Sequence, residues 1–109
     1  LRGVGLGAQL RELRRDCGRA VAGRRAVRET PRRAGALAAL AAAPPARFAG
    51  GRIVGCDLRD GVRLELTDGF VMWRASGTEP VIRVYAEGPD RAALKRRLRL
   101  CEAKLGPAD

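Results

Sequence analysis

From Gly50 onward, apolar and polar residues alternate with a period of two, the pattern of half-buried strands. Ile53, Val54 and Cys56 mark a first strand. In a second, Val62, Leu64 and Leu66 alternate with Arg63, Glu65 and Thr67. Residues 70–73 form an apolar third. Residues 81–86 form a fourth, with Ile82, Val84 and Ala86 on one face and Val81, Arg83 and Tyr85 on the other. Asp60-Gly61 and Asp68-Gly69 are hairpin-turn signals, and a short polar loop at 74–80 joins the third strand to the fourth. Three consecutive short connections predict an antiparallel meander.

On either side the period lengthens to that of a helix. Thr30-Pro31 supplies a hydroxyl N-cap and a proline at the first helical position. Residues 31–43 are rich in Ala and Leu, with Leu37, Leu40 and Ala41 as the inward stripe, and Pro44-Pro45 stops the helix. A second helix opens at Pro89-Asp90 and carries Leu94, Leu98, Cys101 and Leu105 on one face. Arg96, Arg97, Arg99 and Lys104 are expected in solvent, and Gly106-Pro107 closes the helix. Residues 24–30 read as a short edge strand whose charges blunt the edge. Residues 1–23, rich in glycine, read as a connector with a short helix over Leu6, Leu10 and Leu13. The expected architecture is α+β: a four-stranded antiparallel sheet with two helices on one face, the other face left for a partner or another domain. Residues 24–109 would form that single domain.

Composition narrows the chemistry. At 46% hydrophobic but 4% aromatic, the chain must build its core mainly from Leu, Val, Ile and Ala. No apolar run of about 18 residues predicts a membrane span, and no signal-peptide pattern opens the chain. Because it begins with Leu1 rather than Met, it is expected to be a piece of something longer or a trimmed chain. Cys17, Cys56 and Cys101 are odd in number and widely spaced, so reduced thiols in the cytoplasm are expected rather than a disulfide framework or a zinc site. There is no histidine, which removes the commonest general base and metal ligand. Asp57 and Asp60 are not read as a metal pair, because Asp60-Gly61 is more simply a turn. The net charge of +10 raises the possibility of a nucleic-acid partner. The arginines, however, are scattered and lack the interleaved aromatics that would stack on bases.

The loop at 74–80 concentrates the remaining chemistry. Ser76 is the chain's sole serine, and it stands beside Gly77 and Thr78, between Arg74 and Arg83. A glycine that permits positive φ, successive backbone N–H groups, two hydroxyls and two guanidinium forks suit a dianionic phosphate. The same residues also suit a plain turn, with Gly77 supplying φ, Pro80 extending Glu79, and Arg74 paired with Glu79 at the surface. Ser76 as a nucleophile would lack a histidine base.

The run "RASGTEPVIRVYAE", residues 74–87, resembles the phosphate-binding loop of the α-D-phosphohexomutases, the phosphoglucomutases, phosphomannomutases and phosphoglucosamine mutases. Upstream, "DGVRLELTDGFVMWRASGTEP" is similar to that family's hairpin, second turn and aromatic-led strand. Ala75 stands where many members have proline, and Phe70 where tryptophan is common. The resemblance implies a C-terminal domain with a TATA-binding-protein-like topology. It implies that Arg74, Ser76, Gly77 and Thr78 hold the phosphate of a phosphosugar, that Arg83 reinforces them, and that Glu79 and Pro80 shape the loop. The family's phosphoserine, metal and sugar loops have no counterpart here, so the resemblance implies one quarter of a mutase, inactive alone. Its parent would interconvert hexose 1- and 6-phosphates using Mg2+ held by other domains. The alternatives from the residues themselves are a basic nucleic-acid-binding module and a protein-docking module using the uncovered sheet face.

Overall fold

In the computed structural model, which describes residues 20–107, strand pairing follows the two-residue alternation. The elements in chain order are β1 (Val21–Arg28), α1 (Pro31–Ala42), β2 (Arg47–Phe48), β3 (Gly51–Arg52), β4 (Gly55–Asp57), β5 (Val62–Leu66), β6 (Gly69–Ala75), β7 (Val81–Gly88) and α2 (Arg91–Leu105). The main sheet runs β1-β7-β6-β5-β4, antiparallel at every pairing. The architecture is α+β with two helices, as expected, but the sheet has five strands, not four.

The fifth strand is β1. The meander leaves β7 with a free edge, and β1 pairs along its whole length, from Val21 opposite Gly88 to Arg28 opposite Val81. Residues 21–23, expected in the connector, therefore belong to the sheet. Residues 1–19 of that connector, including the helix expected over Leu6, Leu10 and Leu13, lie outside the described residues. The first strand of the meander also differs from expectation. Ile53 and Val54 precede it, and only β4 pairs with β5. Ile53 N donates to Ala46 O (2.9 Å) and Val54 N to Glu65 O (2.8 Å), so these two residues bridge the small β2–β3 hairpin and the sheet.

Apolar residues of alternate positions face the helices. Val62, Leu64, Val71, Trp73, Ile82, Val84 and Ala86 have no solvent exposure. Leu94, Leu98, Cys101 and Leu105 of α2 cover them, with Leu40 of α1 alongside. Both helices begin as predicted: Thr30 Oγ1 accepts from Arg33 N (3.1 Å), and Asp90 Oδ1 from Ala93 N (2.8 Å). Arg33 reaches the far end of α2, donating through Nε to Gly106 O (3.2 Å). Burial pushes the Cys101 thiol up to about 12, with a smaller contribution from Glu102, so it behaves as a small apolar core residue.

Arg97 departs from expectation. It is 5% exposed rather than in solvent. Its Nη1 donates to Glu87 O (2.6 Å) and its Nη2 to Asp68 Oδ1 (2.5 Å), tying α2 to the turn between β5 and β6 and to the end of β7. That turn needs Gly69, whose φ is +153° and where a Cβ would lie 2.1 Å from Glu87 O.

The tightest link between the layers is Trp73. Its indole Nε1 donates to Cys101 O (3.0 Å), and its ring meets Phe48 edge-on at 5.3 Å between centroids. Phe48 is placed there by the β2–β3 hairpin, whose two central residues, Ala49 and Gly50, both have positive φ. Trp73→Phe keeps an aromatic ring but loses the hydrogen bond and part of the volume. We expect a loss of about 2 kcal/mol in urea denaturation without a change in fold.

Candidate functional site

The site follows from the alternation of β6. Trp73 points into the core, so its neighbour Arg74 points to the face without helices. Arg74 and Ala75 are the last residues of β6, and the loop proper is 76–80. In the β6–β7 register Arg74 stands directly opposite Arg83. Like charges facing each other across a ladder repel, and nothing in the packing requires them there. Local conflicts of this kind concentrate where a site has work beyond folding.

Each guanidinium has an acidic neighbour. Arg83 Nη2 pairs with Glu79 Oε1 at 3.1 Å, and Arg74 Nη2 lies 3.8 Å from Asp60 Oδ2. The Arg74–Glu79 pair considered from the sequence is therefore not formed. Both pairs are exposed enough that water screens them, so neither locks its arginine in place. Asp57 belongs to a separate knot, accepting from Arg59 N, Nε and Nη2 (3.0, 3.0 and 2.7 Å). Those bonds hold its carboxyl well below the usual carboxylate range.

Ser76 organises the loop. Its N–H donates to Val81 O (3.0 Å), continuing the hairpin. Its Oγ accepts from Thr78 N (3.2 Å) and Glu79 N (3.1 Å) and lies 3.5 Å from Thr78 Oγ1. Two N–H groups expected to face a ligand are thus turned inward onto the serine. Pro80 fixes the far side: Val81 N donates to Glu79 O (2.8 Å), and Glu29 N to Pro80 O (2.7 Å). The donors left at the mouth are the Ser76 and Thr78 hydroxyls, the Gly77 N–H and the two guanidiniums.

Arg74, Ala75, Ser76, Gly77, Thr78, Arg83 and Tyr85 line a hollow of 270 Å³. It gathers the five ligand-binding residues expected from the sequence and adds Ala75 and Tyr85. The alternation already put Tyr85 on the face of Arg83, but nothing in the residue types marked it as part of the site. A larger hollow of 460 Å³ lies at the opposite end of β6, beside the turn at 67–68. Its lining sets three carboxylates, Glu65, Asp68 and Glu87, against the single guanidinium of Arg63, an excess of negative charge that disfavours an anion.

Gly77 is not held by the fold. It does not have positive φ, contrary to expectation, and a Cβ there would meet nothing within 4 Å. Gly61 is the opposite case, with φ at +112° and a would-be Cβ 2.3 Å from Trp73 O. Gly77→Ala is expected to leave stability unchanged or raise it by up to about 1 kcal/mol. Gly61→Ala is expected to cost about 2–3 kcal/mol. Thermal and urea unfolding of the two variants check the contrast.

Comparison with known proteins places the chain in a family. The sequence model of the phosphoglucomutase/phosphomannomutase C-terminal domain matches residues 12–99. A probable phosphoglucosamine mutase of Methanopyrus kandleri is 60% identical over 38 residues, 33% of this chain and 8% of that protein. A phosphoglucomutase/phosphomannomutase of Thermococcus kodakarensis is 41% identical over 44 residues, 40% of this chain and 10% of that protein. The crystal structure of a phosphoglucomutase/phosphomannomutase family protein from Burkholderia thailandensis superposes with a TM-score of 0.54 at 29% identity, covering 79% of this chain and 17% of that one. The chain thus spans between 8% and 17% of the length of these relatives. With a family match across most of its residues and a shared fold, the chain belongs to the phosphoglucomutase/phosphomannomutase C-terminal domain family.

Proposed function

We propose that this chain is the substrate-phosphate-binding domain of a phosphohexomutase. Arg74, Ser76, Gly77, Thr78 and Arg83 hold the phosphate of a phosphosugar, and Glu79 and Pro80 shape the loop around it. The observation that carries the reading is the Arg74–Arg83 pair, set opposite one another at the mouth of the 270 Å³ hollow. A dianion between the two guanidiniums would turn their repulsion into two charge-assisted contacts. Glu79 would release Arg83 to the phosphate, and Asp60 would release Arg74. Ser76 would hold the turn through its acceptor lone pairs while its hydroxyl proton remains a donor. The open space at Gly77 would let a phosphate oxygen come close to the backbone N–H.

The parent enzyme would move a phosphoryl group between the 1 and 6 positions of a hexose. This domain would clamp the phosphate that is not reacting and fix the sugar's orientation, a positioning role. Alone it would be inactive. Its sole serine is spent on the loop, and the chain has no histidine. Mg2+ belongs to other domains of the parent in this reading. Among the described residues no group of three or more His, Cys, Asp or Glu side chains comes together. Residues before β1 would connect the domain to the rest of the parent. No helix among the described residues is long and apolar enough to cross a membrane, and a cytoplasmic setting is part of the proposal. The helix-free face pairs Arg63 with Glu65 as well as Arg83 with Glu79, so it lacks the unbroken basic stripe that a polynucleotide would want.

An amide NMR titration of the chain with glucose 6-phosphate and mannose 6-phosphate, at fixed moderate salt, tests the reading. We expect saturable shifts centred on residues 74–80, with affinity in the millimolar range, about −4 kcal/mol. Arg74→Ala is expected to weaken both ligands by about tenfold or more. The two sugars are expected to agree within about twofold, because phosphate is their common feature. Shifts spread over many surface arginines, or none at the loop, would contradict it.

A further inference from the structure

Tyr85 lines the same hollow, yet the phosphate chemistry leaves it unused. It stands on β7 two positions beyond Arg83, on the same face, opposite Met72 of β6 and Arg24 of β1. Two guanidiniums, two hydroxyls and the Gly77 N–H already outnumber the three terminal oxygens of a phosphate monoester. A phenol hydroxyl adds no donor that the phosphate needs. What the polar hollow otherwise lacks is apolar surface, which small-molecule sites provide beside a few fixed polar groups. The Tyr85 ring is that surface.

Geometry sets which part of a ligand meets it. With the phosphate between Arg74, Arg83 and the loop, the loop closes one side. The ester oxygen and its carbon skeleton then run back along the sheet. The next side chain on that face of β7 is Tyr85, one two-residue step or about 7 Å away. Resting on the phosphate-binding reading above, we infer that the Tyr85 ring is the surface on which the sugar ring of the bound phosphosugar lies. The domain therefore recognises a hexose phosphate as a ring and not as a phosphate alone. The C–H groups of a pyranose face the electron-rich face of the aromatic ring. Hexose epimers share such C–H surfaces, so this contact selects a ring over an open chain, not one hexose over another.

The test compares glucose 6-phosphate with glycerol 3-phosphate, a monoester without a ring, by amide NMR titration of the native chain, Tyr85→Phe and Tyr85→Ala. The native chain is expected to bind the hexose phosphate roughly threefold to tenfold tighter than glycerol phosphate. Tyr85→Phe keeps this ratio. Tyr85→Ala brings it to about one while its glycerol phosphate affinity stays unchanged. Tyr85 is the chain's single tyrosine, so saturating its ring protons should transfer magnetisation to the hexose C–H protons in the native protein, whatever the variants do. A ratio near one in the native chain, a ratio kept in Tyr85→Ala, a loss in Tyr85→Phe equal to that in Tyr85→Ala, or no transfer from the ring each overturns the inference. Glycerol phosphate that fails to bind the native loop overturns the phosphate reading itself, and this inference with it. Normal glycerol phosphate binding without hexose preference overturns this inference alone.

Discussion

The indole of Trp73, wholly buried and hydrogen-bonded to the carbonyl of Cys101, fixes which way β6 faces. Strand side chains alternate without exception to the rule of two, so a pinned Trp73 forces Arg74 outward. The register of β6 with β7 then forces Arg83 to stand opposite Arg74. A slip of β6 by one residue would bury Arg74 and expose the tryptophan. The core and the candidate site are thus two faces of a single constraint. The stability that the helices gain over the sheet is also what positions the guanidiniums on its far side.

This arrangement explains why the loop can be short and polar without being loose. The energetic cost of facing two cations is carried by a rigid ladder rather than by the loop. The loop's own order comes from Ser76, which closes the turn with its N–H and gathers two further N–H groups on its hydroxyl. Glu29 and Pro80 then tie the turn to the segment before α1. The sole serine of the sequence therefore has a structural role, closing the turn. Gly77 is the residue whose identity the fold leaves unexplained, since its position is open and its backbone ordinary.

Much of this was legible from residue order. The alternation in Val62, Leu64 and Leu66, the caps at Thr30 and Asp90, and the stripe Leu94, Leu98, Cys101 and Leu105 each have one local physical cause, and each appears where expected. The failures come from long-range pairing. β1 is an edge strand, as residues 24–30 suggest, but its pairing into the sheet is not readable because its helix-facing positions include Gly23 and Arg25. They fit only because Leu94 lies over the glycine and Glu102 meets the arginine at 2.9 Å. Arg97 falls within the buried stripe by spacing, but its charge argued for solvent until Asp68 and the Glu87 carbonyl came to meet it. Ile53 and Val54 have strand-like residue types, yet the β2–β3 hairpin takes up the chain just before them. At the site, the loop residues were readable because they are contiguous. The pairing of Arg74 with Asp60 was not, because it depends on which elements become neighbours.

The central claim is that one phosphate group sits between Arg74 and Arg83 under the loop at 76–80. Its most direct measurement is a crystal structure of the chain grown with glucose 6-phosphate. The account predicts a single phosphate within hydrogen-bond reach of both guanidiniums, the Thr78 hydroxyl and the Gly77 N–H, with Glu79 turned away from Arg83. A loop unchanged and empty at saturating ligand, with phosphate bound instead at unrelated surface arginines, would contradict it.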